Sequence, residues 1–466
     1  MINNTFVKQE KYFYFSAMIF FALLILLLFI ISITEIYQLR ELSPTLLRYI
    51  KSVNFVSKNL PIGILGFGTW SFDLLNQELK PIYLSYPNSS YLLISYLRFL
   101  IPDFISTNLI TFISTFTSIF ISSFLLFLCI VPNKHYLNKI SIFFAISTPI
   151  IFLVNPSIIA IFVSPDWQLG FILISLLSIY LSNFRQTKGL ASLFLVLAVY
   201  SNFMYGLALL IGSLLFIVLD LIKRYKKIDF SFRVNEIINY FTNLLIPFTS
   251  LKIVPVLFGL LLYLSNRLIA YIYISVNSKY FVLGSDFLTR VGLGNNPNNY
   301  HYGGVLSVFK FFIHLPSYID KYHLNYYLDG SIHKTINLSL LTLEQLLISS
   351  LSFITLIVLL SSMKEEEYEF INQTKLNIKP IIGFFGIVLI FTCVLFPQST
   401  AVHYRETARI FALIISTTIP YISIKLSKYL SNYFQSDLSW LCPIIISFTV
   451  IDFLRFNLSF PPIEIL

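Results

Sequence analysis

Charge is scarce in this chain. Only 12% of its 466 residues are Asp, Glu, Lys or Arg, about half the share found in an ordinary soluble domain. So few charges cannot cover a water-exposed surface. Cysteine is scarce too. Cys129, Cys393 and Cys442 all lie within or at the edges of apolar runs, which argues against a disulfide framework and leaves them as small core residues. The chain lacks G-x-x-x-x-G-K-[ST], G-x-G-x-x-G and G-x-S-x-G, so nucleotide hydrolysis and serine-hydrolase chemistry are not expected. Its six histidines fall at neither H-x-x-x-H nor H-E-x-x-H spacing, and no metal site is predicted.

Apolar and aromatic residues are abundant instead. They make up 56% of the chain, with 47 Phe and 29 Tyr, and mean hydropathy is +0.79. This composition predicts an all-α, polytopic transmembrane bundle. Apolar runs place spans near 12–34, 106–132, 139–155, 167–184, 188–201, 204–222, 252–276, 337–362, 379–397, 408–427 and 438–455, about eleven in a single integral membrane domain spanning 1–466. The first, Tyr12 to Thr34, lacks a small-residue cleavage site and reads as an uncleaved span. A net charge of +10 in a soluble protein would suggest nucleic acid. Here much of it falls in short connections at Lys134 and Lys139, Arg185 and Lys188, Lys223 to Lys227, Lys364 and Lys375, and Lys425 and Lys428. The positive-inside rule makes that side cytoplasmic, together with the amino terminus, and no nucleic-acid partner is expected.

Two long outer loops break up the apolar pattern. In the first, 36–105, Leu46, Leu47, Ile50, Val53 and Phe55 alternate with Arg48, Lys51 and Lys58 as in an amphipathic helix on the membrane surface, and another helix is expected around Arg98. Asp73 is an isolated acid in this loop, with Glu78 near it. It suits a helix cap or solvated position as well as a general base. The second loop, 277–336, mixes glycine, asparagine and histidine with Tyr300, Tyr302, Tyr318, Tyr322, Tyr326 and Tyr327. Such a mixture suits saccharide recognition, because tyrosine faces stack on sugars while amides and imidazoles serve hydroxyls. It equally suits an ordinary folded ectodomain loop.

Two shorter constellations sit between spans. Asn155 to Gln168 carries prolines at 156 and 165, which predict a bent turn that delivers Asp166 and Gln168 to the outer end of the next span. Asp166 there complements a helix dipole or binds a ligand hydroxyl. Between Val402 and Arg409 stand His403, Tyr404, Arg405, Glu406 and Arg409. The pattern predicts an outward-facing loop at a helix mouth, where partly desolvated charge of this kind usually binds an anion. Other ionisable groups gather at the same face, apart from Arg267 and Glu344.

This order of elements resembles the polyprenyl-phosphate-sugar-dependent membrane glycosyltransferases with the GT-C fold. The elements are an early acid (Asp73) with Tyr86-Pro87, an Asn-Pro turn leading to Asp166, and a late Tyr404-Arg405-Glu406. Within that group the chain is similar to the phage serotype-converting glucosyltransferases. The resemblance implies transfer of a sugar from a polyprenyl-phosphate donor to a saccharide or lipid-linked acceptor at the outer face of a bacterial inner membrane. It implies Asp73 as base, Arg405 on the phosphate with His403 or Tyr404 assisting, and Glu406 orienting the arginine. Arg409 would complete the binding group, with Asp166 and Gln168 on donor or acceptor hydroxyls. No cofactor is expected because the carrier is already activated; a divalent metal stays open. Inversion is the expected stereochemistry. Two alternatives also remain: an O-antigen or capsule polymerase using Arg290 with Arg405, and a transporter or flippase.

Overall fold

The computed structural model describes residues 50, 53–54, 69–73, 78–83, 97–102, 105–130, 139–159, 161, 168–226, 238–239, 300–301, 378–395, 398–399, 403–438 and 440–458. The expected spans at 12–34, 252–276 and 337–362 lie outside these residues, as do most of the two outer loops. Within them the chain is overwhelmingly helical, with two short antiparallel ladders.

Helix α1 (Thr107–Ile130) has 24 residues and no glycine or proline. At 1.5 Å per residue it reaches about 36 Å, enough to cross about 30 Å of hydrocarbon. Its exposed Leu109, Ile113, Phe120 and Phe124 fall on one helical stripe. That stripe is costly in water and suits lipid. Helix α2 (Lys139–Val154) returns beside α1, and the Ser123 hydroxyl donates to the Pro149 carbonyl at 3.2 Å. Asn155 then caps a single turn, α3 (Pro156–Ile159), its Oδ1 accepting from the Ser157 N–H at 2.9 Å. Proline fits the first position of a helix because its missing N–H has no partner there anyway.

Helices α4 (Gln168–Ser182) and α5 (Lys188–Ser201) form a tight hairpin closed by the 3-10 turn Arg185–Thr187. With 15 and 14 residues they rise about 22 Å and occupy the apolar runs expected as spans at 167–184 and 188–201. Polar side chains stitch the layers: Ser178 Oγ donates to the Ala191 carbonyl at 2.8 Å, and Cys129 Sγ to the Leu176 carbonyl at 3.2 Å. Small polar groups serve this role well in apolar surroundings, where an unmade hydrogen bond has no water to fall back on. All three cysteines are free and buried, as their apolar settings predict.

One residue, Asn202, separates α5 from α6 (Phe203–Lys226), and its Oδ1 accepts from the Tyr205 N–H at 3.1 Å. The helices approach so closely that a Cβ on Gly206 would stand 1.9 Å from the Val199 carbonyl oxygen. Only glycine fits there. The buried Tyr205 ring tilts against Phe171, with centroids 5.1 Å apart, and Phe171 reaches Phe384 on α7 (Ile378–Leu395).

Helix α8 (His403–Phe434) is the centre of the described bundle, packed against α2, α7 and α9 (Leu441–Leu458). Its most apolar window is 83% buried, against 44% for those of α1 and α6, so α8 is enclosed and the other two are peripheral. Its buried Ser416, Thr417 and Thr418 hydroxyls are satisfied within the helix, each donating to a carbonyl of its own preceding turn. Helices α1, α6 and α8 contain segments long and apolar enough to cross a membrane. Together with the lipid-suited stripe on α1, they make this a membrane protein.

Candidate functional site at the mouth of the central helix

The expected loop Val402 to Arg409 is largely helix. α8 begins at His403, so His403, Tyr404, Arg405 and Glu406 form its first turn. These residue types carry no strong penalty inside a helix, and only their polarity suggested a loop. Arg405 and Arg409 stand four residues apart, on one face and about one turn from each other. Arg409 is fully buried and is the bulkiest of the fully buried side chains. It is engaged within the core. Enclosing a guanidinium costs several kcal/mol unless its surroundings compensate, so a site that keeps one is built around it.

The first turn of a helix presents N–H groups without intrahelical acceptors and the positive end of the backbone dipole. At the mouth of α8 these coincide with the Arg405 position. A second structural feature meets this mouth. Strand β4 (Gln398–Ser399), just before α8, pairs antiparallel with β3 (Tyr300–His301) from the segment 277–336. Tyr300 faces Ser399 and His301 faces Gln398. The loop singled out for its tyrosines and histidines is thereby tied to the segment that launches α8. The Asn155–Pro156 turn also comes to this helix, since α3 packs on α8 and α9.

Asp73 ends strand β1 (Thr69–Asp73), which forms a hairpin with β2 (Glu78–Tyr83). The register sets Asp73 opposite Glu78, Phe72 opposite Leu79 and Ser71 opposite Lys80. Two acids thus occupy facing positions, whose Cβ atoms in such ladders stand about 4.5–5.5 Å apart. Among the described elements, the extensive contacts of β1 are with β2. Gln168 opens α4; Asp166 lies outside the described residues.

The sequence reading missed two features. The alternation Thr-Trp-Ser-Phe-Asp, followed after a short connection by Glu-Leu-Lys-Pro-Ile-Tyr, was a readable hairpin signal. Asp220, an acid buried in α6 one turn before Lys223 and Arg224, was absorbed into an apolar run. No known protein family, curated protein or solved structure matches this chain.

Proposed function

We propose that this chain is a glycosyltransferase of about eleven spans that moves a sugar from a polyprenyl-phosphate carrier to a saccharide or lipid-linked acceptor at the outer face of a bacterial inner membrane. The observation that carries this reading is the fully buried Arg409, about one turn below Arg405 on the helix whose approach strand pairs with Tyr300 and His301. A cationic helix mouth beside a loop rich in tyrosine, asparagine and histidine suits a ligand that is part phosphate and part sugar.

In the proposed reaction the acceptor hydroxyl loses its proton to Asp73 and its oxygen forms a bond to the anomeric carbon. The carbon–oxygen bond to phosphate breaks, and the phosphate leaves with the electron pair. A hydroxyl is a poor nucleophile and phosphate a charged leaving group, so a base on one side and a guanidinium on the other lower the barrier. Arg405 takes the phosphate in a two-pronged contact with His403 or Tyr404 assisting, and Glu406 orients the guanidinium. Asp166 and Gln168 hold sugar hydroxyls. The expected outcome is inversion, with no nucleotide required.

One observation favours a different class. An acid buried inside a candidate span, as Asp220 is, is a common mark of ion or substrate pathways in transporters. Its place one turn from Lys223 and Arg224 also fits a helix-end ion pair. Incubating membranes containing the chain with a labelled polyprenyl-phosphate sugar decides between them: covalent transfer to the acceptor supports the enzyme, and movement of unmodified donor across the bilayer supports transport.

A further inference from the structure

A small elbow of chain is docked on the amino-terminal end of α1. Residues 97–100 form one helical turn, closed by the Ile101 N–H donating to the Leu97 carbonyl at 3.0 Å. Leu97 and Ile101, four residues apart, pack with Ile105 around the buried Val53 and Ile110. Val53 belongs to the expected amphipathic segment, and Ile110 to the start of α1. The cluster therefore ties two distant parts of segment 36–105 to that helix. Asn54 and Thr107 meet through their side chains at the same place.

The polar groups of the elbow are served from within. Arg98 Nη1 donates to the Ile101 and Pro102 carbonyls, each at 3.4 Å, and so reaches groups that a helix end leaves without intrahelical partners. The Ile105 N–H donates to the Pro102 carbonyl at 3.1 Å, and Ser106 Oγ accepts from the Leu109 N–H at 3.2 Å, capping α1. A turn closed in this way can approach hydrocarbon without stranding polar backbone. Phe99 stands two residues from both Leu97 and Ile101, so it falls on the side of the turn away from the cluster. It is 63% exposed, and Leu100 beside it is 74% exposed.

We propose that this elbow is an interfacial anchor that seats Phe99 and Leu100 in the lipid bordering the amino-terminal end of α1. Depth supports lipid as the occupant. The rise of about 36 Å along α1, against about 30 Å of hydrocarbon, sets its first turns at the boundary between acyl chains and headgroups. Continuity supports it too: Ile110, on which the elbow docks, follows Leu109, where the lipid-suited stripe of α1 begins. An exposed Phe-Leu pair at that level suits burial among lipids, as on an amphipathic helix lying in the interface. Arg98 fits the same level, its stem among apolar groups and its guanidinium on carbonyls. The inference rests on the membrane placement of α1 and not on the proposed sugar transfer.

The test uses the full-length protein reconstituted in phosphatidylcholine vesicles, with a nitroxide label on Phe99→Cys or on Leu100→Cys. The three native cysteines are buried and should stay unlabelled. Collision of the label with molecular oxygen, which concentrates in hydrocarbon, is compared with collision with a water-soluble nickel chelate. Oxygen is expected to dominate at both positions, with a balance shallower than at Ile113→Cys, a stripe residue that is 52% exposed. Dominance of the chelate at either position would put that residue in water and overturn the proposal. A label shielded from both reagents would show that another part of the chain covers the pair, and dipolar broadening between labels would show a second copy there. Either result also overturns it.

Discussion

His301 faces Gln398 across a two-residue antiparallel ladder, although 97 positions separate them in sequence (398 − 301). Gln398 lies five residues before His403, so the ladder holds part of the 277–336 segment at the mouth of α8. Facing Cα atoms in such a ladder stand about 4.5–5.5 Å apart, within the range a disulfide accepts. His301→Cys with Gln398→Cys should therefore cross-link under mild oxidation, while His301→Cys with Ser436→Cys should not. The native cysteines are buried and should not compete. Absence of the first cross-link in folded protein would remove the loop from the site.

Arg405 and Arg409 should separate by stability. Arg409 is enclosed, so Arg409→Ala removes a buried, engaged charge and is expected to cost about 3–5 kcal/mol, seen as a lower unfolding temperature or loss of folded protein. Arg405→Ala in the first turn should leave the unfolding temperature nearly unchanged while weakening donor binding. Equal thermal losses in the two variants would make the helix mouth purely structural.

Two backbone positions give opposite signs. Gly206→Ala drives a methyl group against the Val199 carbonyl, which is backbone and cannot rotate away, so a loss of at least about 1–3 kcal/mol is expected. Gln435→Gly relieves a left-handed conformation that glycine adopts freely and should stabilise by about 0.5–1 kcal/mol. Thermal unfolding of the two variants beside wild type checks both signs.

The long apolar helices were legible because runs such as Thr107–Ile130 contain nothing that interrupts a helix. Where the sequence changes from apolar to polar, legibility fails. The first turn of α8 was read as loop because hydropathy scores His403 to Arg409 as polar, although those residues form helix readily. Helices α4 and α5 fall on the apolar runs at 167–184 and 188–201, although apolar content alone does not say whether they are buried in lipid or in protein. The pairing of His301 with Gln398 left no local trace, since two residues of long-range ladder carry no periodicity. Of the candidate site, the α8 residues and the Asn155 turn were visible as unusual local chemistry. Their assembly with the outer loop depends on contacts far apart in sequence.

The orientation proposed from the lysine and arginine segregation is open to labelling. A membrane-impermeant thiol reagent added outside should modify His301→Cys and spare Tyr225→Cys, whose position at the end of α6 is 91% exposed. Modification of residue 225 but not 301 would invert the topology and move the proposed site to the cytoplasm.

The most direct test of the central claim is sugar transfer from a polyprenyl-phosphate donor in membranes carrying equal amounts of wild-type, Asp73→Asn and Arg405→Lys protein. Asp73→Asn removes a base with little change of shape and should cost on the order of 10²- to 10⁴-fold in rate. Arg405→Lys keeps the charge but loses the planar fork, and should markedly impair transfer in a protein that still inserts and folds. Wild-type transfer with both variants deficient is the expected result; no transfer by the wild type, or full transfer by both variants, would contradict the account.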